Sequence, residues 1–138
     1  MSDSSPSSTA PETGESRRLI LIVDDEPSVR AMVHASIRVR GPGYRVVEAG
    51  NASEAVAQAM QHRPDLVLLD VALPDHDGFW VCRRLKTTPE TAHIRIVMLT
   101  AMSLPSDRER AVQAGADGYV VKPFSPRALL EEIDRRLS

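Results

Sequence analysis

Three acidic residues stand where apolar runs stop: Asp24 and Asp25 follow residues 19–23 (LILIV), and Asp70 follows residues 66–69 (LVLL). A fourth run, residues 96–99, ends in Thr100, and a fifth, residues 119–121, ends in Lys122. If these runs are parallel strands, their C-terminal ends share one edge of a sheet, where open α/β folds bind ligands. One crevice would then gather carboxylates, a hydroxyl and an ammonium. Clustered carboxylates raise one another's pKa unless a cation offsets them, and Mg²⁺ is the hard ion that such an oxygen set favours. The hydroxyl and the ammonium suit the equatorial oxygens of a phosphoryl group.

The rest of the chain is patterned to position those ends. From Arg18 onward short apolar runs alternate with amphipathic stretches, the signature of repeated βα units. Strands are expected at residues 19–23, 44–47, 66–69, 96–99 and 119–121. The first, third and fourth are almost continuously apolar, as central strands covered on both faces are, and the more polar second suits an edge. Pro27 suits the first turn of a helix whose Val29, Met32, Val33 and Ile37 recur on one face. Asn51 with Glu54, and Ser106 with Glu109, resemble capping boxes opening the second and fourth helices. A third helix is expected over residues 79–86, with Phe79, Cys82 and Leu85 inward. Ser125 and Pro126 open a fifth, striped by Leu129, Ile133 and Leu137.

Bulk properties exclude several rivals. A chain of 138 residues with 42% hydrophobic content fits one domain around one core. A net charge of −2 gives no basic footprint for nucleic acid. Cys82 is the only cysteine, so neither an internal disulfide nor a cysteine zinc cluster can form, which fits a reducing cytoplasm. No apolar stretch approaches the roughly 20 residues of a membrane span. Residues 1–16, MSDSSPSSTAPETGES, contain no Val, Ile, Leu or aromatic residue and are expected to form a disordered tail before a domain over residues 17–138.

Taken together, LILIVDDEP at residues 19–27, DLVLLDVALPDHDG at 65–78, IVMLTA at 96–101 and GYVVKPF at 118–124 resemble the response-regulator receiver domain of two-component signalling. The resemblance spans essentially residues 18–137 and implies a doubly wound five-stranded parallel sheet of order 2-1-3-4-5 with five helices, a relative of flavodoxin. It implies that Asp70 is the phosphoacceptor. Asp25 would be a direct Mg²⁺ ligand, Asp24 a neighbouring acid holding metal-bound water, and the Ala72 main-chain carbonyl a further ligand. Thr100 would bond a phosphoryl oxygen, and Lys122 would pair with Asp70 and then with the phosphoryl group. Tyr119 corresponds to a switch aromatic, and the Lys122–Pro123 bond to a cis peptide. The donor would be a histidine kinase or a histidine phosphotransfer protein, and the output surface the fourth helix, fifth strand and fifth helix, which could also form a homodimer.

Each residue also has a plain structural role available. Asp24 or Asp25 could be a helix-start acid, Asp70 a turn residue before Pro74, Thr100 a strand former and Lys122 a solvated cation. Their coincidence at successive strand ends favours the chemical role. His34, His62, His76 and His93 show no metal-binding spacing and are expected at the surface, and Cys82 is expected as a core filler. Trp80, one turn from Arg84, is expected to make a cation–π contact, with partner binding as the minority role. Ala72 and Met102 would shape access of hydrolytic water, and the RVRGPG connection at residues 38–43 has no assigned role.

The leading expectation is a stand-alone receiver acting as a cytoplasmic adaptor or relay intermediate, not an enzyme beyond its own phosphorylation and dephosphorylation. An aspartyl-phosphate hydrolase would need a second carboxylate two residues past the nucleophile, where Ala72 stands. An unphosphorylated interaction domain, or a fragment of a longer regulator, completes the alternatives.

Overall fold

The computed structural model describes residues 18–39, 43–101 and 104–137. The expected tail, residues 40–42 of the Gly/Pro-rich connection, and Met102 lie outside the described residues. The chain alternates strictly: β1 (Arg18–Val23), α1 (Pro27–Val39), β2 (Tyr44–Ala49), α2 (Ala52–His62), β3 (Leu66–Asp70), α3 (Gly78–Lys86), β4 (Arg95–Thr100), α4 (Pro105–Ala114), β5 (Gly118–Val121) and α5 (Pro126–Leu137). The five strands pair in parallel in the order β2-β1-β3-β4-β5. The more polar β2 is indeed an edge.

Period-two alternation along apolar strands builds two cores. Ile20, Ile22, Leu66, Leu68, Val97 and Leu99 face one way, against Val33 and Ile37 of α1 and Leu129, Ile133 and Leu137 of α5. Leu21, Val23, Val67, Leu69, Ile96 and Met98 face the other way, against Phe79, Cys82 and Leu85 of α3 and the small residues Ala55, Ala59, Ala111 and Ala114 of α2 and α4. Each fully buried Leu, Ile or Phe contributes roughly 1.5–3 kcal/mol over its exposed state. Because both faces are covered, the central strands carry no polar face, which explains their unbroken apolar runs.

The helix starts depart from expectation in instructive ways. Met32 is 37% exposed, so the buried face of α1 is narrower than its spacing implied. At α2 the Asn51 side chain accepts from the Glu54 N–H at 2.8 Å, but the Glu54 carboxylate reaches the Gly50 N–H instead of that of Asn51. The Ser106–Glu109 box does not form. Pro105, with φ preset for a first helical position, starts α4 two residues earlier than a Ser106 cap would, and the Asp107 carboxylate accepts from the Leu104 N–H at 3.1 Å. Helix α5 opens as expected, with Ser125 Oγ accepting from the Ala128 N–H. At the N-terminal rim of the sheet, Lys86 Nζ donates to Asp117 at 2.9 Å and to the Ile94 carbonyl at 2.6 Å, tying the end of α3 to the starts of β4 and β5.

Candidate functional site

The opposite rim, where all the strands end, carries the charged cluster. Asp24 follows β1 in a heavily bonded corner. Its N–H donates to the Ala49 carbonyl at 3.2 Å, and its Oδ1 accepts from the Glu26 N–H at 2.9 Å. Its main-chain carbonyl accepts from Arg30 Nη1 at 2.5 Å. Asp70 is the last residue of β3, still in register with Leu99 of β4, so the ladder itself fixes its backbone. Helix α3 begins directly against it: a Cβ on Gly78 would collide with the Asp70 carbonyl oxygen, and the Gly78 N–H donates to the Val71 carbonyl at 2.7 Å. Only glycine tolerates that approach.

Asp24, Asp25 and Asp70 each present a carboxylate oxygen, and these oxygens lie within 4.8 Å of one another. Asp24 is wholly buried and Asp70 is 5% exposed, while Asp25 is open to solvent. Lys122, just past β5, reaches over from the far side. Its Nζ lies 2.9 Å from Asp24 Oδ2 and 3.5 Å from Asp70 Oδ1. The buried Thr100 hydroxyl side chain completes a cleft of about 320 Å³ lined by Asp25, Glu26, Asp70, Ala72, Thr100, Ala101 and Lys122. The Lys122–Pro123 peptide bond is cis.

The charges interact strongly. Burial, and then the neighbouring charge of Asp24, push the Asp70 carboxyl above its ordinary range, with Lys122 opposing them. For Lys122, burial alone would depress the ammonium, but the hydrogen bond with Asp24 and the charges of Asp70 and Asp24 outweigh it and its pKa is raised. The arrangement is one cation shared by two buried carboxylates, with a third carboxylate at the mouth. That oxygen-only donor set, with one exposed member and room for waters, fits a hard divalent cation such as Mg²⁺.

Comparison with known proteins now decides the family. The response regulator receiver domain pattern matches residues 20–134. This chain belongs to the response regulator receiver family. The receiver is 42% identical over 123 residues to the DNA-binding dual master transcriptional regulator RpaA of a Synechocystis species, covering 84% of this chain and 50% of that protein. It superposes on the chemotaxis protein CheY4 of Vibrio cholerae with a TM-score of 0.81 at 33% identity, covering 86% of this chain and 98% of the other. The receiver domain of a sensor histidine kinase from Pseudomonas aeruginosa, whose structure has a magnesium ion coordinated in the active-site cleft, matches with a TM-score of 0.79 at 33% identity, covering 88% of this chain and 98% of that one. The chain spans about half the length of the curated relatives it matches.

All the residues singled out at strand ends meet in the receiver's cleft, and Tyr119 sits beside them. Burial raises the Tyr119 pKa, followed by the charge of Asp107, while the charge of Arg108 and a hydrogen bond with Thr100 lower it. The Arg108 guanidinium lies 5.1 Å from the ring centre. Two residues escaped sequence reasoning. Arg30 grips the Asp24 carbonyl and also donates to Glu48 of β2 at 3.0 Å. Its one sequence signal is a cation in the first turn of a helix, where the dipole disfavours it without compensation. Asp75 is the other. From the β3–α3 connection its carboxylate accepts from the N–H groups of Ala52 and Ser53 at 2.8 and 2.9 Å, capping α2 from a distance. Neither contact has a local spacing to betray it.

The remaining residues behave as surface or core chemistry. Trp80 takes the Arg84 guanidinium at 5.4 Å, as expected, and stacks on His76 with ring centres 3.9 Å apart. His62 and His93 are exposed, and His34 Nδ1 pairs with Glu48 at 3.1 Å. Cys82 is buried, its thiol pushed up to about 11 by burial.

Proposed function

We propose that this receiver accepts a phosphoryl group on Asp70 from the phosphohistidine of a histidine kinase or histidine phosphotransfer protein in a Mg²⁺-dependent reaction. The observation that carries the reading is the buried Asp70 carboxylate, 3.5 Å from Lys122 Nζ and within 4.8 Å of two further carboxylates, at a cleft open to solvent. An Asp70 oxygen attacks phosphorus as the phosphorus–nitrogen bond of the donor breaks. The electron pair of that bond stays with the imidazole, and an acyl phosphate forms on Asp70. Lys122 and the Thr100 hydroxyl take the phosphoryl oxygens, positioning and neutralising rather than doing covalent chemistry. Asp25, Asp24, Asp70 and the Ala72 carbonyl would hold Mg²⁺, which supplies positive charge that keeps Asp70 ionised. The magnesium ion in the related kinase receiver supports that assignment.

The acyl phosphate then shifts the surface of α4, β5 and α5 for a partner protein. The Thr100–Tyr119 hydrogen bond supports this, since it joins a phosphoryl-binding hydroxyl to an aromatic on β5. The receiver is a phosphorylated signalling component rather than an enzyme turning over external phosphoesters, for Ala72 supplies no second carboxyl. Among the described residues no helix is long and apolar enough to cross a membrane.

A second reading is favoured by the relatives. The stand-alone role draws support from the near-complete overlap with CheY4, whereas RpaA, called DNA-binding, is about twice as long. In that reading the receiver governs an effector in a longer regulator, and absence of DNA contact holds for this domain alone. A reading frame running past the codon for Ser138 would favour it.

The central claim is tested with Mg²⁺ and acetyl phosphate, followed by intact mass of the wild type and of Asp70→Asn. A hydroxylamine-labile adduct on the wild type alone is expected. Unchanged mass in both would refute it.

A further inference from the structure

Resting on the Mg²⁺ reading above, a question follows about Asp25, the exposed member of the three-carboxylate cluster. Among the described residues its carboxylate accepts no hydrogen bond and joins no ion pair. Its aim into the cleft therefore depends on its backbone. The peptide plane joining Asp24 to Asp25 contains the Asp24 carbonyl, and that carbonyl is held by Arg30 Nη1 at 2.5 Å. The guanidinium is itself anchored, with Nε donating to Glu48 Oε1 at 3.0 Å while His34 occupies Glu48 Oε2 at 3.1 Å. Gly50 leaves room for it, since a Cβ there would stand 3.3 Å from Arg30 Nη1.

We infer that Arg30 is a positioning residue for the metal site, clamping the Asp24–Asp25 peptide to β2 through Glu48 so that Asp25 is oriented before the cation arrives. The other contacts at this corner fall on the groups either side of this plane. The Asp24 N–H bond to Ala49 fixes the preceding peptide, the Lys122 contact holds the Asp24 carboxylate, and the Glu26 N–H bond to Asp24 Oδ1 ties down the following Asp25–Glu26 peptide. Among the described residues, Arg30 alone holds the carbonyl of the Asp24–Asp25 peptide, the plane on the N-terminal side of Asp25. Its planar fork suits the task, one edge on a carbonyl and another on a carboxylate, which a lysine ammonium could not span as well.

Partners that orient a metal ligand without touching the metal typically contribute about 10–100-fold to metal affinity. The test is Mg²⁺ titration by calorimetry of the full chain as wild type, Arg30→Gln, Glu48→Gln and Ile133→Val, the last a core change on α5 that lowers stability away from the corner. Arg30→Gln is expected to weaken Mg²⁺ about tenfold and Glu48→Gln by a smaller factor, while Ile133→Val binds as wild type does. Glu48→Gln keeps the test decisive should Arg30→Gln fail to fold. Wild-type affinity in both clamp variants, or an equal loss in Ile133→Val, overturns the clamp while leaving the Mg²⁺ reading intact. A wild type that binds no Mg²⁺ overturns both.

Discussion

The Lys122 ammonium stands closer to Asp24, at 2.9 Å, than to Asp70, at 3.5 Å. The lysine expected to serve the phosphoacceptor is thus first the counter-ion of a wholly buried acid. Replacing Lys122 with Met would leave Asp24 unpaired in the interior. We expect a loss of about 2 kcal/mol in urea unfolding, below the range for fully buried pairs because Lys122 is partly solvated. The sign with pH follows from its raised pKa. The Lys122 contribution is fully present below the ordinary lysine value of 10.5 and disappears as pH rises through the raised value, so the two proteins should converge in strong alkali.

Asp70 carries the opposite consequence. Its carboxyl is raised by burial and by Asp24, so ionisation works against the metal-free fold. Asp70→Asn should therefore be more stable than the wild type at neutral pH without Mg²⁺, read as a higher Tm. The advantage should vanish in acid, where the wild-type carboxyl is protonated in both states. Equal melting temperatures at pH 7 would contradict the electrostatic account of the cleft.

Gly78→Ala forces a methyl group against the Asp70 carbonyl. Overpacking of this kind costs about 1–3 kcal/mol. Because the strained atom belongs to the proposed phosphoacceptor, the substitution should also slow labelling by acetyl phosphate at temperatures where the protein remains folded. Circular dichroism with intact mass separates the two effects.

Asp75 caps α2 across the loop, and the amide bonds from Ser53 and Ala52 hold its carboxyl far below the ordinary range. With a lowered pKa, its support is present above the ordinary Asp value and is lost as pH falls toward the depressed one. Hydrogen exchange should show the Ala52 and Ser53 amides losing protection in Asp75→Ala at neutral pH, with the rest of α2 little changed.

Beryllofluoride with Mg²⁺ should move amide resonances across α4 and β5 while leaving the Lys86–Asp117 end of the sheet quiet. In Thr100→Val those distant changes should shrink, since the hydroxyl bonded to Tyr119 is gone.

The sheet order was legible through the receiver resemblance, and the meeting of Asp24, Asp25, Asp70, Thr100 and Lys122 because it depends on rules local in sequence. An apolar run ends in a polar residue, and parallelism places all such ends on one rim. What stayed hidden depends on distances between segments. Arg30 finds the Asp24 carbonyl because α1 turns back beside β1, and Asp75 finds α2 because the β3–α3 connection leans over it. Which of two acids Lys122 prefers is a matter of ångströms. The α4 start was misplaced for a simpler reason, as Pro105 outcompetes Ser106 as the opening signal. Met32 fitted a helical stripe whose edge is set by neighbouring loops.

Lys122 follows β5 and Asp24 follows β1, yet β3 and β4 run between those strands. Their ion pair is therefore an arch over two intervening strand ends, and Asp70 and Thr100 are housed beneath it. An anionic group that draws the arch's cation toward itself would loosen its buried footing on Asp24, so occupancy on the rim would reach β1 and β5 together.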